Sequence, residues 1–238
     1  MTAAVSRQLT DAVAAGRTTL TEVAAKQLLH DFGIPVSRPE VAHDADEAAE
    51  AAERIGFPVV LKVVSEAITH KSDHGGVVLD VRDQRQARRA FERISGNALT
   101  AYPDAVIEGV AVEAMARSGL EVIIGLQRDP TFGPTVVFGL GGTLVELLAD
   151  VSMRVAPFGR TDAARMIGEI RAAPLLRGFR ENPPRDVAAI EEIIVSLGKL
   201  AVLDEIESVD LNPVIVFEQG AGAIVVDASI TLRGGHRD

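Results

Sequence analysis

Residues 57–78 read FPVVLKVVSEAITHKSDHGGVV. An apolar run, Phe57 to Leu61, delivers a single lysine, Lys62. A polar loop follows with His70, Lys71, Asp73 and His74, and closes on Gly75-Gly76 before a second apolar run, Val77 to Val81. Apolar runs separated by turn residues predict strand, loop and strand. The residue types suit phosphate. A lysine neutralises phosphate oxygens as a point charge. An imidazole nitrogen attacks phosphorus near neutral pH. Glycines let backbone amides approach an anion closely. Alone, the segment also fits a snorkelling strand lysine and a solvated loop histidine.

Outward from this stretch the chain alternates helical and extended patterns. LTEVAAKQLLHDFG (20–33) predicts a helix with Thr21 as N-cap and Gly33 as its stop. Residues 34–42 are extended and broken by prolines. Helices are expected from Asp44 to Ile55, ended by Gly56, and from Asp83 to Ile94. A polar connection at 95–104 is expected to mark a lobe boundary, giving one lobe over 38–101 and another over 1–37 and 102–238. Strands are expected at 105–115, 120–129 and 135–142, with a mixed segment at 144–151. Helices follow at 161–172 and 184–201, the latter entered through Pro183 or Pro184. Two final strands, 207–217 and 223–230, are joined by a Gly-containing turn. The pattern is α+β, with helices on one face of largely antiparallel sheets.

Composition limits what such a chain can do. Of 238 residues 47% are hydrophobic, enough for a full core, yet only 4% are aromatic, with no Trp and one Tyr. The core is therefore built from Ala, Val, Leu and Ile. A net charge of −10 disfavours a general nucleic-acid footprint, but an acidic chain still binds nucleotides through Mg²⁺ and a few local cations. The absence of cysteine excludes disulfides and thiolate metal sites. No uncharged apolar stretch reaches about 18 residues, and Met1 to Asp11 lacks a secretion-signal pattern. The expectation is a cytoplasmic chain without a membrane span.

Three further groups carry candidate chemistry. Glu113, Ala114 and Met115 end a strand whose free backbone groups can read an adenine edge, with Met115 against the ring; Val112 and Met115 equally fit ordinary core. In FGLGGTLVELLADVSMR (138–154), Gly139, Gly141 and Gly142 make either a phosphate-covering loop or a tight turn. Glu146 and Arg154 flank it, and an arginine beside Gly-rich backbone suits phosphate oxygens. In VDLNP (209–213) and VVDAS (225–229), adjacent strands can place Asp210 or Asn212 beside Asp227, hard oxygen ligands of the kind Mg²⁺ takes. A hairpin with polar caps fits the same pair. Asp227 stands in an otherwise apolar strand, where a buried carboxylate needs a partner or a metal. His30, His43 and His236 have no comparable setting.

Four segments in order, LTEVAAKQLLHDFGIPV (20–36), FPVVLKVVSEAITHKSDHGGVVL (57–79), LEVIIGLQRDPTFGPTVVFGLGGTLVELLADVSMRVAP (120–157) and ESVDLNPVIV (207–216), resemble the ATP-grasp domain of ADP-forming acyl-CoA synthetases. The β subunit of the acetyl-CoA synthetase type is the nearer resemblance, and succinyl-CoA synthetase β a more distant one. The resemblance implies an ATP-grasp fold with ATP or ADP and Mg²⁺ held between two lobes. It implies Lys62 as the phosphate lysine, with Gly75, Gly76, Gly141 and Gly142 beside the nucleotide. Glu113 to Met115 correspond to the adenine-side linker, Glu121 to a ribose contact, Asn212 and Asp227 to the metal pair, and Arg154 to the arginine near the transferred phosphate. His70 matches the histidine that accepts phosphate, a second histidine that succinyl-CoA synthetases lack. His74 departs from the family, whose members often carry a small or apolar residue there, and adds an alternative nucleophile.

The activity so implied is acyl-CoA + phosphate + ADP = acid + CoA + ATP, with phosphate relayed through His70 to Mg-ADP. A CoA-binding α subunit, separate or originally fused, supplies acid selection and the first phosphohistidine, in an α₂β₂-type heterotetramer. The alternative is a nucleotide-sensing module of the sort fused to protein acetyltransferases. A third reading, a carboxylate–amine ligase, fits the HKSD loop and the GLGG run less well.

Overall fold

The computed structural model describes residues 3–68, 71–142 and 150–234. In chain order the elements begin α1 (Ala3–Ala14), β1 (Thr19–Leu20), α2 (Glu22–Asp31), β2 (Glu40–Ala42), α3 (Ala45–Ile55) and β3 (Val59–Val64). A 3₁₀ turn (Lys71–His74), β4 (Val77–Val81), α4 (Gln84–Ala101), β5 (Gly109–Ala114), β6 (Leu120–Asp129) and β7 (Gly133–Leu140) follow. The chain ends with β8 (Val151–Val155), α5 (Arg160–Glu169), α6 (Ala173–Leu176), α7 (Val187–Leu200), β9 (Ile206–Val216), β10 (Ala223–Val225) and β11 (Ala228–Leu232). They form two compact units, one of residues 21–24 and 37–117, the other of 1–20, 25–36 and 118–238.

The smaller unit is an antiparallel sheet in the order β2-β5-β3-β4 with α3 and α4 on one face. Strand alternation sends Val59, Leu61 and Val63 into that helical layer, where they meet Ala48, Ala52, Ile94 and Ala98. The alanines of α3 present little bulk, so the helix lies close on the sheet. Asp44 caps α3, accepting from Asp46 N at 2.9 Å and Glu47 N at 2.8 Å, and Gly56 ends it at φ +92°. The polar connection expected at 95–104 is instead the last turns of α4. Ile94 and Ala98 prolong the buried stripe begun by Ala87 and Ala90, and the helix ends only at Tyr102, before Pro103. The unit runs on to Arg117 because β5 pairs with both β2 and β3.

The larger unit is a sheet ordered β1-β11-β9-β6-β7-β8, with β10 also on β9: seven strands among the described residues. Ile124 is in register with Phe138 on β7 and with Leu211 on β9, so one face is apolar. Helices α5 and α7 pack against this sheet, α7 burying Ile190, Ile193, Ile194 and Leu197. Burying each such side chain contributes about 1.5–3 kcal/mol. Helix α7 starts later than its prolines imply, capped by Asp186, which accepts from Ala189 N at 3.2 Å and from Gly222 N at 2.8 Å. Of the mixed segment expected at 144–151, residues 144–149 lie outside the described residues, and β8 begins at Val151. The last expected strand divides: β10 ends at Val225 and β11 begins at Ala228, so Asp227 stands at the break rather than within a strand.

Candidate nucleotide and phosphate site

Because Leu61 and Val63 face the helices, Lys62 between them points to the other side of the smaller sheet. It is only 4% exposed. An ammonium so buried needs an anion, and finds Glu22 Oε1 at 2.6 Å and Glu113 Oε1 at 3.9 Å. Glu22 Oε2 takes a second ammonium, Lys71 Nζ, at 2.9 Å. Glu113 Oε2 accepts from Ser37 Oγ at 2.6 Å. Two lysines and two carboxylates thus meet in one largely buried group. Glu22 stands in the first turn of α2, where the helix dipole favours a carboxylate.

The turn after Lys71 is built tightly. Gly76 N donates to Lys71 O at 2.8 Å, Gly75 N to Ser72 O at 3.2 Å, and Val63 N to Gly76 O at 2.8 Å. A Cβ on Gly76 would lie 2.8 Å from both Lys71 O and Val63 Cγ1, so only glycine fits. Gly75 adopts φ +66°, and its carbonyl accepts from Asn97 Nδ2 of α4 at 3.1 Å. These glycine amides close the turn rather than stand free. His74 sits edge-on to Tyr102 with ring centres 5.1 Å apart. His70 lies outside the described residues, as does Glu146.

At the end of β5, Glu113 is buried in the charge group, while Ala114 and Met115 are exposed, Met115 by 40%. Met115 N donates to Pro58 O at 3.0 Å.

In the larger unit, Glu121 on β6 is brought to the Gly-rich strand end. Gly141 N donates to Glu121 O at 2.7 Å, and a Cβ on Gly141 would meet the Glu121 backbone at 2.8 Å. Gly142 follows at φ +86°. Arg154 on β8 donates through Nη2 to Glu169 Oε1 at 2.5 Å and through Nη1 to Met153 O at 2.8 Å. This hydrogen bond holds the Glu169 carboxyl below its usual range.

Asn212 and Asp227 meet where the ladder breaks. Strand β9 pairs with β11 up to Leu211 and with β10 from Val214, and Asn212-Pro213 bulges opposite β6 between them. Asn212 N donates to Asp227 O at 3.2 Å, and Asp227 Oδ1 accepts from Ala228 N at 2.9 Å. Asp210, in register with Gly125 and Ser229, lies on a concave face lined also by Ile123, Gln127 and Ser208. Its carboxyl is raised above the usual range, first by the low-dielectric surroundings of that concavity and then by the charge of Asp227. The Asp210 carboxyl beside Asp227, with Asn212 bonded through its backbone to Asp227, offers oxygen atoms that fit a hard cation. Among the described residues no group of three or more His, Cys, Asp or Glu gathers for a metal. Hard oxygen ligands of this kind are those Mg²⁺ takes, the rest of its sphere being water and phosphate.

Sequence reasoning left Asp210 and Asn212 as alternatives; the structure brings both to Asp227. It missed Glu22 and Ser37, and gave Lys71 no role. Glu22 lies in a helix register that reads as an ordinary first-turn acid, and only the fold carries it to Lys62.

The chain matches the ATP-grasp domain family over residues 11–232. It is 45% identical over 230 residues to the β subunit of ADP-forming acetate–CoA ligase I of Pyrococcus furiosus, covering 96% of this chain and 98% of that one. It superposes with TM-score 0.92 and 46% identity on acetyl-coenzyme A synthetase 1 of Ca. Korarchaeum cryptofilum bound to coenzyme A and Ca-AMPCP, covering 95% of this chain and 99% of that one. A second structure of that enzyme, with coenzyme A, Mg-AMPPCP and a phosphohistidine segment pointing towards the nucleotide binding site, matches with TM-score 0.83 and 44% identity over 96% of this chain and 100% of that one. By its sequence and its fold the chain belongs to the ATP-grasp family, among the β subunits of ADP-forming acetate–CoA ligases.

Proposed function

We propose that the chain is the nucleotide-binding β subunit of an ADP-forming acyl-CoA synthetase, interconverting acyl-CoA, phosphate and ADP with acid, CoA and ATP alongside a CoA-binding α subunit. The observation that carries this reading is the match to a β subunit along nearly the whole length of both chains. Lys62, Asn212 and Asp227 stand in settings that suit their roles, while Gly75 and Gly76 spend their amides on the turn. Such a reaction draws on the nucleotide and CoA of the cytoplasm, which is where the chain is placed. Among the described residues no helix is long and apolar enough to cross a membrane.

In this reading a phosphoryl group arrives from a histidine of the α subunit. The His70 imidazole forms an N–P bond as the donor's N–P bond breaks. A β-phosphate oxygen of ADP then attacks phosphorus, the His70 N–P bond breaks, and ATP forms. The Lys62 ammonium neutralises phosphate oxygens through the transfer, and Arg154 serves the transferred group. Asn212 and Asp227, with Asp210 beside them, would hold Mg²⁺, which when bound neutralises the nucleotide phosphates. Gly75 and Gly76 shape the turn after His70, and Gly141 and Gly142 lie beside Glu121, the ribose-side contact. Ala114 and Met115 present an exposed strand end to the adenine, with Glu113 behind them.

Reconstitution tests the division of labour. Mixed with the CoA-binding subunit of a relative, the chain is expected to form ATP from acyl-CoA, phosphate and ADP. Alone it is expected to bind nucleotide without turnover. Substantial turnover by the 238-residue chain alone would refute the reading.

A further inference from the structure

The geometry points to Glu22 as a positioning residue: we propose that its carboxylate keeps Lys62 charged and aimed at phosphate and, through Lys71, ties down the turn that follows His70. The inference rests on the proposed function, and deepens it.

Glu22 divides its two oxygens between two ammonium groups, Oε1 to Lys62 at 2.6 Å and Oε2 to Lys71 at 2.9 Å. The side chains of Glu22, Lys62 and Lys71 are 5%, 6% and 12% exposed, so solvent does little to screen them. Lys62 faces Glu22 from α2, Glu113 from β5 and Lys71 from the 3₁₀ turn, while α3 and α4 lie on the opposite face of its sheet. Without Glu22, Lys62 would lose the carboxylate at 2.6 Å and keep Glu113 at 3.9 Å, with the Lys71 ammonium still on the adjoining turn. Burial and like-charge repulsion would then both favour a neutral amine at Lys62. A neutral amine does not act on phosphate as a point charge.

The second ammonium carries the mechanical part. Lys71 is the residue after His70 in sequence, and its carbonyl accepts from Gly76 N at 2.8 Å. Lys71 is thus held at its side chain by Glu22 and at its backbone by the turn. One carboxylate thereby serves both the lysine proposed to meet phosphate and the segment that continues from the proposed phosphate carrier.

The test is Mg-ADP binding to the full chain by calorimetry, from neutral pH to about pH 10, around the ordinary lysine pKa. Wild type is expected to lose affinity along one alkaline limb, which Lys62→Met lacks. Glu22→Gln keeps the shape but removes the charge, and its limb is expected to move down by about one pH unit or more. Removing the competing ammonium in Glu22→Gln/Lys71→Met is expected to return the limb towards wild type. A Glu22→Gln limb identical to wild type overturns the proposal. Should Glu22→Gln fail to fold, Lys71→Met alone decides: its limb is expected to rise, and an unmoved limb overturns the proposal. A wild-type chain that binds no Mg-ADP at any pH would instead count against the proposed function.

Discussion

Asn212 N donates to Asp227 O at 3.2 Å, at the point where β9 exchanges its partner β11 for β10. The break sets Asn212, in the bulge of β9, next to Asp227, between β10 and β11. The account assigns these side chains to Mg²⁺. Asp227→Asn is therefore expected to weaken Mg-ADP binding by about tenfold or more, some 1.4 kcal/mol, with metal-free ADP nearly unaffected. Titrations with and without Mg²⁺ decide it. Equal weakening of both would make Asp227 a structural cap.

Asp210 supplies a pH signature. Its carboxyl is raised in the folded chain by its surroundings and by Asp227. A raised carboxyl binds its proton more tightly folded than unfolded. Its contribution to stability is fully present below the unfolded pKa and is lost as pH rises through the folded one. At neutral pH without divalent cation, Asp210→Asn is expected to melt at higher temperature than wild type. The gap should close as the pH falls into the carboxylate range. Thermal melts across that range check it, and a lower melting temperature for the variant at neutral pH would count against the pairing.

The turn after Lys71 makes a steric prediction. A methyl at position 76 meets a backbone oxygen at 2.8 Å, which cannot swing aside as a flexible side chain would. Gly76→Ala is expected to destabilise the chain by about 1–3 kcal/mol, read from denaturant unfolding. Gly96→Ala, with open space around its Cβ position in α4, is expected to leave stability unchanged or improved.

Much of this was legible in the sequence, for stated reasons. Asp44 at its start and Gly56 after its end predict that helix nearly to the residue, because helix ends are set by local chemistry. The apolar run into Lys62 predicts its strand, and the resemblance carried by the ordered motifs implies the ATP-grasp fold. The end of α4 was hidden by Ser95, Gly96 and Asn97, which read as a turn; they are accepted because Ile94 and Ala98 stay buried and Asn97 bonds the Gly75 carbonyl. The division of β10 from β11 was hidden because ladder partners are long-range. The same holds for Glu22, separated from Lys62 by 40 positions.

The central claim is that His70 carries phosphate between the partner subunit and Mg-ADP. The most direct measurement is labelling of the full chain by Mg-ATP radiolabelled on the γ-phosphate, followed by a chase with Mg-ADP. The account predicts an acid-labile, base-stable phosphoprotein whose label returns to ATP in the chase. His70→Ala should remove the label, and His74→Ala, whose imidazole packs against Tyr102, should keep most of it. Full labelling of the His70→Ala chain would contradict the account.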